Sequence, residues 1–149
     1  MTATQQKPPA GVGPDQNPLL YRTERDNEAL VRSFCDAWSA MSPDQICSHL
    51  ADDVVYMVYE GGPIKRGIPE IHATLTGFMK RWRSIDFRIF RLCAMGSLVI
   101  HERTEIYAGC DGHPDWEFNV TGLIRVKDGK IEGWRDYSLP GARQIFSGV

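Results

Sequence analysis

Three ionisable residues of this 149-residue chain stand where period-two strand geometry brings them together. In the stretch from Leu98 to Tyr107, rich in aromatic and β-branched residues, Arg103 and Glu105 project to one face while Thr104 takes the other. From Lys130 to Tyr137, Trp134 and Asp136 share a face and Arg135 points away. In Val54–Tyr59, Tyr56 and Val58 form the corresponding pair. If these faces converge, one pocket receives two carboxylates, one guanidinium, one phenol and much apolar surface. Two buried carboxylates bridged by an arginine can hold one member ionised, as a base, while the other keeps its proton, as an acid. Alternation alone leaves a plainer reading open. Arg103 and Glu105 can equally be an exposed pair worth little, and Tyr56, Trp134 and Tyr137 ordinary core aromatics.

The elements that would position these groups follow from pattern. Leu30, Phe34, Ala37, Trp38 and Met41 form a helical stripe over Asn27–Met41. Ser42-Pro43-Asp44-Gln45 combines an N-cap serine, a proline at the first helical position and a glutamine three residues after the cap. It starts a second, short helix ending near Leu50. Val54 to Tyr59 is β-rich and Gly61-Gly62-Pro63 ends it. Ile71, Leu75, Phe78 and Trp82 recur at helical spacing behind Pro69, giving a third helix with Met79-Lys80-Arg81-Trp82-Arg83 as its solvated basic end. Four strands follow, Ile85–Ala94, Leu98–Tyr107, Asp115–Val126 and Lys130–Tyr137, with Lys127-Asp128-Gly129-Lys130 as a hairpin turn. Helices first and an antiparallel run of strands after is the α+β pattern, with helices on one face of a bent sheet.

Length and composition, 42% hydrophobic and 24% charged, suit one domain with one core. Residues 1–25, rich in Pro, Gly, Gln and Asn, read as a flexible tail in which Pro18-Leu19-Leu20-Tyr21 could dock on the body. Residues 26–149 form the domain. A net charge of −2 with interspersed signs offers no basic stripe for nucleic acid. No stretch is apolar enough for a secretory signal or a membrane span, so a soluble, cytoplasmic protein is expected. Cys35, Cys47, Cys93 and Cys110 stand far apart and read as reduced small hydrophobes, and His49, His72, His101 and His113 show no paired ligand spacing. Metal binding is not expected.

The residues Gly129-Lys130-Ile131-Glu132-Gly133-Trp134-Arg135-Asp136-Tyr137, with His101-Glu102-Arg103 and Ala51-Asp52-Asp53-Val54-Val55-Tyr56, make the chain resemble limonene-1,2-epoxide hydrolase, a branch of the NTF2-like or SnoaL-like superfamily. The likeness runs from about Asn27 to Phe146. It implies a cone-shaped α+β fold in which a strongly curved mixed sheet encloses an apolar pocket. By this resemblance Asp136 is the base, Arg103 the bridge, Glu105 the acid and Tyr56 a holder of the nucleophilic water. The family has an aspartate where Glu105 stands and a water-holding asparagine where Val58 stands. Glutamate keeps the acid one methylene further out, whereas valine removes an amide that both donates and accepts.

The implied reaction is one-step hydrolysis of a hydrophobic, terpenoid or cyclic epoxide, without metal or organic cofactor. Cys35, Trp38, Leu75, Phe78, Phe118, Val120 and Trp134 would complete the lining. The resemblance also implies a homodimer formed through the outer face of the sheet. An epoxide-opening cyclase, an isomerase and a non-catalytic ligand-binding module are the alternatives, because this fold hosts many functions.

Overall fold

The computed structural model describes residues 18–110 and 112–138, with side chains from Thr23 onward. Helix α1, Pro18–Asp36, passes into one 3-10 turn, Ala37–Ala40, and is followed by α2, Pro43–Cys47, and α3, Gly67–Met79. Strands β1 (Leu50–Met57), β2 (Ile64–Arg66), β3 (Trp82–Met95), β4 (Leu98–Gly109), β5 (Trp116–Lys127) and β6 (Lys130–Tyr137) form one sheet in the order β2-β1-β6-β5-β4-β3. From β3 to β6 each strand pairs antiparallel with the next, whereas β1 lies parallel to β6. The expected α+β arrangement, helices on one face of a curved mixed sheet, is therefore the observed one.

Several boundaries differ from the sequence reading. Helix α1 begins at Pro18, so residues 18–25 do not belong to a tail; residues 1–17 lie outside the described part. From Glu24 to Glu28, α1 makes polar contacts with the end of β3 and the turn after it. Glu24 and Glu28 accept from the amides of Gly96 and Ala94, both at 3.0 Å, and Asn27 donates to the Gly96 carbonyl at 2.9 Å. The helix thus ties down the β3–β4 hairpin. Ser42 caps α2 as expected, accepting from the Gln45 amide, but α2 ends at Cys47 and Leu50 opens β1. That strand stops at Met57, so Val58 and Tyr59 lie just beyond it. Trp82 ends no helix; it is buried at the start of β3, where its helical spacing from Phe78 is fortuitous.

Sheet curvature has local causes. Register shifts at Trp82/Ser84 and Ile89/Arg91 in β3 place extra residues opposite β4 and bend the long edge strand. Opposite Arg125/Val126 the register also shifts, so both Ile131 and Trp134 of β6 turn inward. The β5–β6 turn has positive φ at Asp128 and Gly129 (50° and 73°), the backbone that a two-residue hairpin needs. Between the sheet and the helices lies a core that includes Val31, Phe34, Trp38, Ile71, Leu75, Ile124 and Trp134.

Candidate active site

Strand β4 alternates buried and half-buried residues along its whole length, and its inner face carries His101, Arg103, Glu105 and Tyr107. The exposed-pair reading is thereby excluded: Arg103 is 1% and Glu105 5% exposed. Two strands away, β6 directs Trp134 and Asp136 to the same side. The intervening β5 opposes them with Gly122, which pairs with His101 on one side and with Asp136 on the other. A Cβ at Gly122 would lie 2.1 Å from His101 Nε2 and 2.9 Å from Arg103 Nη1. Lacking one, the strand lets the guanidinium cross it.

Arg103 bridges both acids. Its Nε donates to Glu105 Oε1 at 2.8 Å, Nη2 contacts the same oxygen, and Nη2 also lies 3.0 Å from Asp136 Oδ2. Its Nη1 is 3.3 Å from His101 Nε2, and its guanidinium carbon sits 4.7 Å from the Phe87 ring centroid. Asp136 Oδ2 further accepts from the Trp134 indole N–H at 2.8 Å, while its Oδ1 is buried without a hydrogen-bond partner among the described residues. The second oxygen of Glu105 accepts from the Tyr107 hydroxyl. Stacking fixes these groups: Tyr56 on Trp134 (centroids 3.7 Å apart), Trp38 on Phe87 (4.6 Å) and Tyr107 on Phe118 (5.5 Å).

The electrostatics follow from burial and one shared cation. Burial raises the pKa of both Glu105 and Asp136, against the opposing pull of Arg103, and the charge of Asp136 pushes Glu105 up further. One arginine between two buried acids favours a single shared proton. Although burial disfavours the charge on Arg103, the two carboxylates outweigh it and raise its pKa well above the usual value. His101 is pushed down to about 3, by burial first and by Arg103 second, so it stays neutral and its Nε2 accepts from the guanidinium. Cys35, pushed up to about 12 mainly by burial, is an un-ionised thiol.

A cavity of about 190 Å³ opens onto this set. Of the residues expected to line it, Trp38, Leu75, Phe78, Phe118, Val120, Tyr56, Val58, Glu105 and Asp136 do so. Cys35, Trp134 and Arg103 do not; all three are buried behind the wall, with Trp134 covered by the ring of Tyr56. Sequence reasoning missed Tyr59, Thr74, Phe87, Tyr107 and Ser138. Tyr107 is the next residue in the alternation that found Arg103 and Glu105, and Phe87 is the cross-strand partner of Glu105.

A family model described as the limonene-1,2-epoxide hydrolase catalytic domain matches residues 25–147. Epoxide hydrolase EphG of Mycobacterium tuberculosis is 34% identical over 107 residues, 72% of this chain and 69% of that protein. The solved structure of an M. tuberculosis LEH-like epoxide hydrolase superposes with a TM-score of 0.69 at 29% identity, over 78% of this chain and 84% of that one. A putative polyketide cyclase from Xanthomonas campestris, 21% identical with a TM-score of 0.69 over 83% and 96% of the two chains, shares the fold. With an arginine-bridged pair of buried acids on the inner face of an NTF2-like cone, the chain belongs to the limonene-1,2-epoxide hydrolase family.

Proposed function

We propose that the protein adds water to a small, apolar, cyclic epoxide in one step, giving a vicinal diol. The observation that carries this reading is Asp136, which lines the cavity and whose Oδ2 is held by Arg103 and Trp134 while its Oδ1 has no hydrogen-bond partner among the described residues. Asp136 takes a proton from water positioned with the help of Tyr56. The water oxygen bonds to one epoxide carbon, the C–O bond of that carbon breaks, and the proton held by Glu105 passes to the departing oxygen. Every proton moves between side chains, water and substrate, so the step requires no metal or organic cofactor. An apolar cavity of about 150 Å³ holds a benzene-sized ligand, so about 190 Å³ suits a single ring with short substituents.

The test is diol formation from limonene 1,2-oxide, cyclohexene oxide and related cyclic epoxides by the wild type and Asp136→Asn. Loss of the base lowers kcat by about 10²–10⁴-fold. Equal turnover by the two proteins would sink the assignment of Asp136.

One observation favours a second reading. Val58 lines the cavity, and its side chain offers no hydrogen bond to a water. An enzyme that opens the epoxide with a hydroxyl of the substrate itself does not need that bond, and cyclic ether products in place of diols would identify it. In either case the chain is proposed to act as a cytoplasmic homodimer on a small hydrophobic substrate.

A further inference from the structure

Glu105 lines the cavity, and both of its oxygens are already engaged by protein donors. Oε1 receives both Nε and Nη2 of Arg103, and Oε2 receives the hydroxyl of Tyr107. Tyr107 also lines the cavity. Its ring is fixed by stacking on Phe118 and by edge contact with Phe78, so the hydroxyl has one well-defined place.

A hydrogen bond between a phenol and a carboxyl group holds one proton. With Glu105 ionised, the Tyr107 proton points at Oε2 and no acid faces the cavity. With Glu105 protonated at Oε2, that proton points at the phenol oxygen, and the phenol's own proton is released to turn toward the cavity. The same contact thus converts the protonation state of Glu105 into the orientation of the Tyr107 O–H.

We propose that Tyr107 is a catalytic residue: its hydroxyl delivers the proton to the departing epoxide oxygen while Glu105 replaces that proton on the phenol oxygen. This rests on the hydrolase reading above. In the balanced step, Asp136 gains a proton from water, the water oxygen bonds to carbon and the epoxide C–O bond breaks. The alkoxide oxygen takes the Tyr107 proton and Tyr107 takes that of Glu105. Tyr107 ends unchanged, Glu105 ends ionised and Asp136 ends protonated. One proton returned from Asp136 to Glu105 resets the site, and no phenolate persists. Burial, and secondarily Glu105, holds the Tyr107 pKa well above its usual value, which suits a conduit that never stays ionised.

The experiment measures diol formation from limonene 1,2-oxide and cyclohexene oxide by the wild type, Asp136→Asn, Tyr107→Phe, Glu105→Gln and the Tyr107→Phe/Glu105→Gln double variant, with kcat and KM separated. The relay predicts that each acid-side single variant loses about 10²-fold or more in kcat at little change in KM. It further predicts that the double variant is no slower than the slower single, because both lesions cut one path. Near-wild-type kcat for Tyr107→Phe, or losses that multiply in the double variant, overturns the relay and leaves the hydrolase standing. A wild type that yields no diol from any epoxide overturns the hydrolase reading and the relay with it. If Tyr107→Phe does not fold, 3-fluorotyrosine placed at position 107 keeps the ring and its stacking. A changed kcat then supports the relay, and an unchanged one refutes it.

Discussion

Gly122→Ala offers a direct test of how the site is packed. The new Cβ would stand 2.1 Å from His101 Nε2, 2.7 Å from Cε1 and 2.9 Å from Arg103 Nη1, so the imidazole and the guanidinium must both shift. Overpacking a well-filled interior costs about 1–3 kcal/mol. Loss of glycine's freedom in the unfolded chain returns about 0.4–1 kcal/mol. The net is a destabilisation of up to about 2.6 kcal/mol, or up to about 10 °C in Tm at about 2–4 °C per kcal/mol for a domain of this size. The functional loss is larger, because Arg103 meets Asp136 at 3.0 Å through the guanidinium that must move. A displacement of about 1 Å at a reacting group costs up to about 10²-fold in rate. Gly77→Ala is the control. On α3 a Cβ at Gly77 meets nothing within 4 Å, and the substitution gains on the order of 0.5 kcal/mol. Urea denaturation and diol turnover of both variants decide the matter. A Gly122→Ala protein as fast as the wild type would refute the passage of Arg103 over β5.

Two further outcomes are expected. His101 has a pKa of about 3 when folded and about 6.5 when unfolded, so the unfolded chain binds more protons between these values and stability falls as pH drops through that window. From pH 7 to 4.5 this residue costs roughly 2–3 kcal/mol, and urea titrations at both pH values should show a smaller drop for His101→Gln than for the wild type; equal drops would disprove it. Val58→Asn places an amide at the cavity wall, and one added hydrogen bond to water, about 0.5–1.5 kcal/mol, corresponds to a rise in kcat of about 2–10-fold. A fall in diol yield with retained folding would instead count for a substrate hydroxyl as nucleophile.

Where hydrophobic period and burial coincide, the sequence was readable. Strand β4 keeps strict alternation along its whole length, which is why Arg103 and Glu105 could be assigned to one face. What alternation cannot supply is the sign of that face. Arg103 and Glu105 look like surface residues until the opposing acid on β6 is brought alongside through an intervening strand. Gly122 was opaque for a similar reason: its requirement comes from side chains on β4 and leaves no local trace. Near the start of α1, Glu24 binds the Gly96 amide through a polar atom, a contact that hydrophobic period does not reveal. Strand β2, three residues with an exposed first and last position, carries no pattern at all. Cys35 and Trp134 were assigned to the right neighbourhood but to the wrong layer, since period gives a face and not a depth.

The parallel pairing of β1 with β6 sets Tyr56 directly beside Trp134. These residues are neighbours in space and distant along the chain, and the contact that joins them is also the one that stacks the cavity wall. Arg103 on β4 thus precedes in the chain its second counter-ion, Asp136, which only the last strand supplies. Without β6 the sheet lacks both Trp134 and Asp136, and long-range strand pairing of this kind closes slowly. The buried set is therefore complete only when β6 has paired on both of its sides, so a chain that holds Arg103 between its two acids has also closed the sheet.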